Sequence, residues 1–468
     1  MISPWLLLKR AAPFLIALGI WFAPIPEGLT QEAWHLFAVF TAAIACVLLG
    51  SFPLLTASMA AVAAVVLTQT ITPAQAFSGF ANASVLLVVI AFIVAQAVVK
   101  SGLGKRISLI MVSRFGASPR GLAYSLVLTD AAIAPAFPSN TARGGVLYPI
   151  VLSIAKGAGS EPNDENGRRL GGYLMFCSMA GLAVTSALWL TATSANPIGV
   201  QAAQNAGVKL NFASWFIASS VPTLAAILLL PLVAGKFFPP GVGATPEAPL
   251  AARKSLAEMG SLSRDEWITA VVFVLMVAGW VLGGTLHLNT TAVAFFGFAV
   301  LLVSGVLTVD DICKQGDTLV TFLWLAVLFA LSAQLNELGF MDFAGQRLAA
   351  RLAGLAWPVL YVALVGLYVG LHYFFVSQTS QVLALLAVFI DVGVRGGVPA
   401  PLIVPSLLFA SSYFSVITPQ GGSQNVIFVA SGYLKQRELY RLGFLTTLVF
   451  MVVYLVVGTP WLLFIGKQ

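Results

Sequence analysis

Apolar residues in this chain come in long blocks rather than at the spacing of a half-buried helix or strand. The blocks fall at 11–26, 33–50, 54–70, 84–100, 171–203 (broken), 213–235, 266–284, 289–306, 319–336, 401–430 (broken) and 440–464. A helix that crosses a hydrocarbon core of ~30 Å needs roughly 20 apolar residues, so this pattern predicts an all-α integral membrane protein with about eleven transmembrane helices. Lys9 and Arg10 precede the first apolar run, but no small-residue cleavage site follows, and Pro24 and Pro26 stand at its end. The run is therefore expected to be an uncleaved first helix.

Two further blocks, 121–155 and 355–393, are interrupted by polar residues. Their behaviour follows from the Lys and Arg distribution. If neither block crosses, 18 of the 24 basic residues fall on one side. Five (Lys209, Arg347, Arg351, Arg395, Lys467) fall on the other, and Arg143 lies inside a block. Basic loops stay in the cytoplasm, which places the N-terminus there and the C-terminus outside, as in a bacterial-type inner membrane. Each interrupted block is then a re-entrant helical hairpin, one entering from each side. Matching hairpins of opposite orientation are the mark of an inverted-topology repeat. The expected units are 1–118 with the N-terminal helix, 121–236 with the first hairpin, a polar linker at 237–264, 265–353, and 355–468 with the second hairpin.

Composition removes other classes. Hydrophobic residues make up 59% and charged residues 9% of 468, against about 25% charged in soluble chains. The net charge of +7 is spread over membrane-flanking loops, so no nucleic-acid footprint is expected. The three cysteines lack ligand spacing, and none of the three histidines sits in a His-Glu-x-x-His helix. Ser377 and His372, five residues apart, would point about 140° apart on a helix, so no hydrolytic dyad forms. The chain is expected to be no enzyme and to need no cofactor.

The chemistry concentrates in the hairpins. The first carries Pro138, Ser139, Asn140, Thr141, Ala142 and Arg143; the second carries Ser377, Gln378, Thr379, Ser380 and Gln381. Each is a Ser, a carboxamide and a Thr in succession. Ser is a good N-cap, and a half-helix that starts in mid-membrane offers free N–H groups to an anion. A second polar break follows each triplet, at 191–199 with Pro197 and at 415–425 with Pro419, 58 and 42 residues after the leading Ser. Pro and Gly there free backbone carbonyls that suit a cation or line a pocket.

These residues carry a resemblance. Ser139 to Arg143, and Ser377 to Thr379 after the aromatic run His372–Phe375, resemble the divalent anion/sodium symporter family. The nearest branch is that of citrate/succinate and 2-oxoglutarate/malate exchangers. The resemblance implies a homodimer in the lipid bilayer whose mobile transport domain (121–236 and 355–468) moves like an elevator against a scaffold (1–118 and 265–353). It also implies carboxylate contacts from Ser139, Asn140, Thr141, Ser377, Gln378, Thr379, Thr418 and Pro419. Sodium-coupled members have Asn in both triplets, and Gln378 replaces the second.

Three ionisable residues are candidates for charge or coupling. Arg143 can supply fixed positive charge, Asp130 can pair with it or take a proton, and His372 can gate or carry a proton. Any Na⁺ would sit near Asn140, Ala195 and Asn196, or near Thr418. The expected function is secondary transport of di- or tricarboxylate anions by exchange, with Na⁺-coupled symport as the alternative.

Overall fold

A computed structural model describes residues 4–162, 164, 167–352, 354–375 and 377–466. Lys467, counted above among the basic residues, lies outside them. The described residues form helices joined by turns, without strands. Among the described residues, eight helices are long and apolar enough to cross a membrane, and three shorter apolar ones accompany them. Polar caps mark where the apolar runs begin. Asn82 accepts from the backbone N–H of Ser84 (2.9 Å) and starts Ala83–Ser101. Asn289 does the same for Thr290–Val303, through Thr291 (2.9 Å). Ser263 and Glu266 form a reciprocal capping box at the start of Arg264–Val281.

The element order repeats. Gln31–Leu48, Leu54–Leu67 and Ala83–Ser101 are followed by the short helix Leu103–Phe115 and a helical hairpin. Arg264–Val281, Thr290–Val303 and Gly316–Glu337 are followed by the short helix Phe340–Arg351 and a second hairpin. Both short helices start directly after a left-handed glycine, Gly102 (φ 83°) and Gly339 (φ 79°). Only glycine takes that conformation cheaply, and it lets the chain turn sharply away from the preceding span.

The first hairpin is Pro119–Ile133 and Asn140–Gly157, with its tip at 134–139. The second is Trp357–Phe374 and Gln378–Arg395. In the second, the regular helix after the triplet gives way to a π-helical turn, Val382–Leu386. Such turns mark strained or functional places in helices. Val376, beside the second tip, lies outside the described residues.

The helix Arg168–Leu188 is buried throughout from Leu170 to its end. It packs against both arms of the first hairpin, Phe212–Phe237 and Ala400–Tyr413. Its small residues allow this: a Cβ on Gly181 would meet Val127 at 2.8 Å, and one on Gly172 would meet Phe238 at 2.9 Å. The polar segment at 237–264 is more ordered than a linker needs to be. It contains the helix Glu247–Met259, which lies along Leu103–Phe115. Arg106 fastens its end by donating to the carbonyls of Gly260 (2.9 Å) and Ser261 (3.2 Å) and pairing with Glu266 (2.6 Å).

Candidate anion site at the hairpin tips

Both leading serines are N-caps. Ser139 has extended backbone (φ −140°, ψ 117°), and its Oγ accepts from Ala142 N–H at 3.2 Å. Ser377 (φ −147°, ψ 125°) accepts from Ser380 N–H at 3.3 Å. Each cap uses one N–H and leaves others of the first turn without intrahelical partners. The next residues meet each other. Asn140 Nδ2 donates to Gln378 Oε1 at 3.2 Å. Gln378 Nε2 donates in turn to the carbonyls of Ser411 (2.9 Å) and Ser412 (3.1 Å). The extra methylene of Gln378 thus lets one amide bridge its own tip, the opposite tip and the end of Ala400–Tyr413. The hydroxyls of Thr379 and Ser194 lie 3.1 Å apart.

A cavity of about 860 Å³ opens in front of the tips. Ser139, Asn140, Thr141, Ser377, Gln378 and Thr379 all line it, joined by Thr193, Ser194 and Ser423 from the two breaks. Hydroxyls, amides and helix N-termini facing one space form a donor-rich, neutral surface suited to carboxylates.

Arg143 lies behind this surface, wholly buried. Nη1 donates to Asp130 Oδ2 (2.6 Å) and Thr185 Oγ1 (3.0 Å). Nη2 reaches Asn140 Oδ1 (2.5 Å), Ser186 Oγ (2.5 Å), and the carbonyls of Leu182 (3.2 Å) and Ala192 (3.4 Å). Thr185 also hydrogen-bonds Asp130. The guanidinium thus takes the side-chain oxygen of Asn140, one of the residues near which Na⁺ is expected. Asp130 in turn neutralises it, so Arg143 is not a net positive charge on the site. A charge buried at this depth stands only when paired in this way.

His372 is the corresponding feature of the second half. Its Nε2 lies 2.6 Å from the Gly421 carbonyl and its Nδ1 2.7 Å from Gln381 Oε1, with Phe414 stacked on the ring. Gln381 Nε2 donates to the Tyr368 carbonyl (2.7 Å), which turns its oxygen toward the histidine. Both ring nitrogens thus face oxygens, one from an amide side chain and one from the backbone. A Cβ on Gly421 would meet the Ser415 carbonyl at 2.7 Å, so glycine is required for this closure.

The two breaks share one hydrogen-bond pattern. Asn196 Nδ2 donates to the carbonyls ten and seven residues upstream, Ser186 (2.8 Å) and Trp189 (3.0 Å). Asn425 Nδ2 does the same with Ser415 (2.7 Å) and Thr418 (3.0 Å). Asn196 thus corresponds to Asn425, whereas Pro197 follows Asn196 and Pro419 precedes Asn425. Buried Asn196 Oδ1, Asn425 Oδ1, Thr418 Oγ1 and Gln424 Oε1 have no protein partner. The first break therefore leaves one amide oxygen unclaimed and the second leaves three oxygens, all of the type that bind hard cations.

The sequence matches a family model described as sodium:sulfate symporter transmembrane region over residues 5–467. The chain belongs to this family, the divalent anion/sodium symporters. It is similar to the putative malate transporter YflS of Bacillus subtilis, at 38% identity over 97% of this chain and 96% of that protein. It is 36% identical to chloroplastic dicarboxylate transporter 2.1 of Arabidopsis thaliana, over 95% of this chain and 80% of that one. It is 30% identical to the L-tartrate/succinate antiporter of Escherichia coli, over 97% of each. The fold is that of the crystallised YdaH transporter of Alcanivorax borkumensis, with a TM-score of 0.56, 17% identity, and coverage of 98% of this chain and 97% of that one. As a member of this symporter family the chain is a multi-pass membrane transporter and not an enzyme.

Within that family frame, six of the eight expected contact residues face one cavity. Thr418 and Pro419 do not line it; Thr418 is buried inside the second break, and Ser423 takes their place at the surface. Sequence reasoning missed Thr185 and Ser186, the hydroxyls that hold Asp130, Arg143 and Asn140 together. Their only signal is a Thr-Ser pair inside an apolar span, which more often marks hydroxyls bonded to their own helix.

Proposed function

We propose that this transporter exchanges dicarboxylates across a bacterial-type inner membrane, as a homodimer whose hairpin-bearing domain moves against a scaffold. The N-terminus is cytoplasmic and the C-terminus outside on this reading. One observation carries the exchange mode: the Arg143 guanidinium occupies the oxygens of Asn140, Ser186, Leu182 and Ala192, where a coupling cation would otherwise be held. Asp130 cancels that charge. Without an anion, the N–H and O–H donors that face the cavity at the tips lack acceptors, and carrying unsatisfied donors through the membrane interior is costly. A bound dicarboxylate satisfies them, and the domain moves when loaded rather than empty. The names of the E. coli antiporter and of the malate and dicarboxylate transporters support this substrate class.

The experiment is uptake of labelled succinate into proteoliposomes that are empty or loaded with succinate. Uptake is expected only into loaded vesicles and is unchanged when Na⁺ is replaced by K⁺ or choline. Accumulation in empty vesicles driven by an inward Na⁺ gradient would establish the second reading, Na⁺ symport. The unpartnered oxygens of Thr418, Asn425 and Gln424 in the second break, and of Asn196 in the first, favour that alternative, since they leave acceptors able to take a cation.

A further inference from the structure

The wall of the cavity opposite the hairpin tips is charged. It is formed by Ala83–Ser101 through Phe92, Gln96 and Lys100, and by residues around Gly316–Glu337. Gln96 and Lys100 stand one helical turn apart and both line the cavity. Lys100 Nζ pairs with Asp311 Oδ2 at 2.6 Å, and the lysine side chain remains 43% exposed. Asp311 does not depend on Lys100. The same oxygen accepts from Thr308 N–H (2.8 Å) and Thr308 Oγ1 (2.7 Å), closing a capping box at Val309–Cys313. The Lys100 hydrogen bond first, then those from Thr308, hold the Asp311 carboxyl well below the usual carboxylate range. The carboxylate is therefore satisfied with or without the lysine, whereas among the described residues the lysine has one partner, the half-buried Asp311.

The tips themselves offer no free cation, because Arg143 is neutralised by Asp130. An anion with two carboxylates carries charge that the neutral donors of the tips do not cancel. We propose that Lys100 is an outer carboxylate subsite on the fixed wall: it leaves Asp311 to meet the anion at the mouth of the cavity, and Asp311 takes it back when the anion departs. Gln96 supplies a neutral donor beside it. This proposal rests on the transport reading above and on the cytoplasmic assignment of the loops that hold Lys100 and Lys314. It deepens that reading by making the subsite sided: Lys100 acts on anions that enter from or leave to the cytoplasm. Outside entry uses the tips alone. Asp311 thereby becomes a competitor of substrate.

The test measures the KM for succinate separately on the two faces, using purified protein reconstituted with one orientation blocked by an impermeant reagent. K100Q is expected to raise the cytoplasmic-face KM about three- to fivefold, the range for a half-exposed ion contact, and to leave the outside-face KM within twofold. D311N frees the lysine and is expected to lower the cytoplasmic-face KM. Both effects shrink as ionic strength rises, because the contact is solvent-accessible. Folding of K100Q is checked independently with K100C in a C313S background, since Cys313 is the exposed cysteine among the described residues. An aminoethyl thiol reagent should restore the KM, and a sulfonatoethyl reagent should worsen it. Equal KM changes on both faces, no change in either, or a D311N effect of the same sign as K100Q would overturn the proposal. The KM measurements do not require exchange, since net Na⁺-driven uptake reads them equally well. Failure of the exchange reading and failure of the Lys100 subsite are thus separate results.

Discussion

The side-chain amide of Asn140 donates to the side-chain oxygen of Gln378 at 3.2 Å, joining two hairpin tips that lie 238 residues apart in the chain. Each member is held from behind. Asn140 Oδ1 accepts from Arg143 and Ser186, and Gln378 Nε2 donates to the carbonyls of Ser411 and Ser412. The pair therefore fixes the relative position of two half-helix ends.

Truncating Asn140 removes this link and leaves Arg143 and Ser186 each short of an acceptor. We expect Asn140→Ala to insert into the membrane but to bind succinate roughly 10- to 150-fold more weakly, equivalent to ~1.5–3 kcal/mol for a hydrogen bond to a charged group. Thermal stabilisation of the purified variant by succinate measures this, and wild-type stabilisation would show that the tip is structural.

Gln378→Asn restores the family's second Asn but shortens the reach of the amide. One methylene less cannot serve Asn140 and the carbonyls of Ser411 and Ser412 together. Affinity should fall about tenfold, the value of one or two lost hydrogen bonds. No Na⁺ dependence should appear, because the Arg143 guanidinium still takes the side-chain oxygen of Asn140. A Na⁺ titration of uptake decides it; Na⁺-stimulated transport by this variant would contradict the role given to Arg143.

The Asp130–Arg143 pair is a buried unit, and its members should not act independently. Removing either partner leaves an uncompensated buried charge, so Asp130→Ala and Arg143→Met should each cost ~3–5 kcal/mol of stability. The double variant should be more stable than the sum of the two losses implies. Melting temperatures in detergent for the four proteins give the coupling, and strict additivity would mean the pair is not formed.

The proposed topology places the short helices Leu103–Phe115 and Phe340–Arg351 on opposite faces of the membrane. In a C313S background, a cysteine replacing Lys105 should react with an impermeant maleimide only from the cytoplasmic side, and one replacing Arg347 only from outside. Labelling of both from the same side in intact cells would remove the inverted arrangement.

The sequence alone determined the membrane class, the order of the apolar helices, and the two hairpins. Each rests on a local property: runs of apolar residues long enough for a bilayer, basic residues that do not cross it, and a Ser whose hydroxyl caps the helix that starts after it. The triplets were legible for the same reason, since polar residues inside an apolar hairpin have few structural uses. Tertiary structure decided what those residues do to each other. The neutralisation of Arg143 depends on Asp130 and on Thr185, which lies 42 residues after it, and the chain alone gives no distance between them. The correspondence of Asn196 with Asn425 appears only in the carbonyls they bridge, not in the spacing of Pro197 and Pro419. The cavity wall that carries Lys100 comes from a helix remote in sequence from both tips. Local patterns write the elements because burial and capping act within a few residues, whereas the charge balance of a site depends on which distant elements pack together.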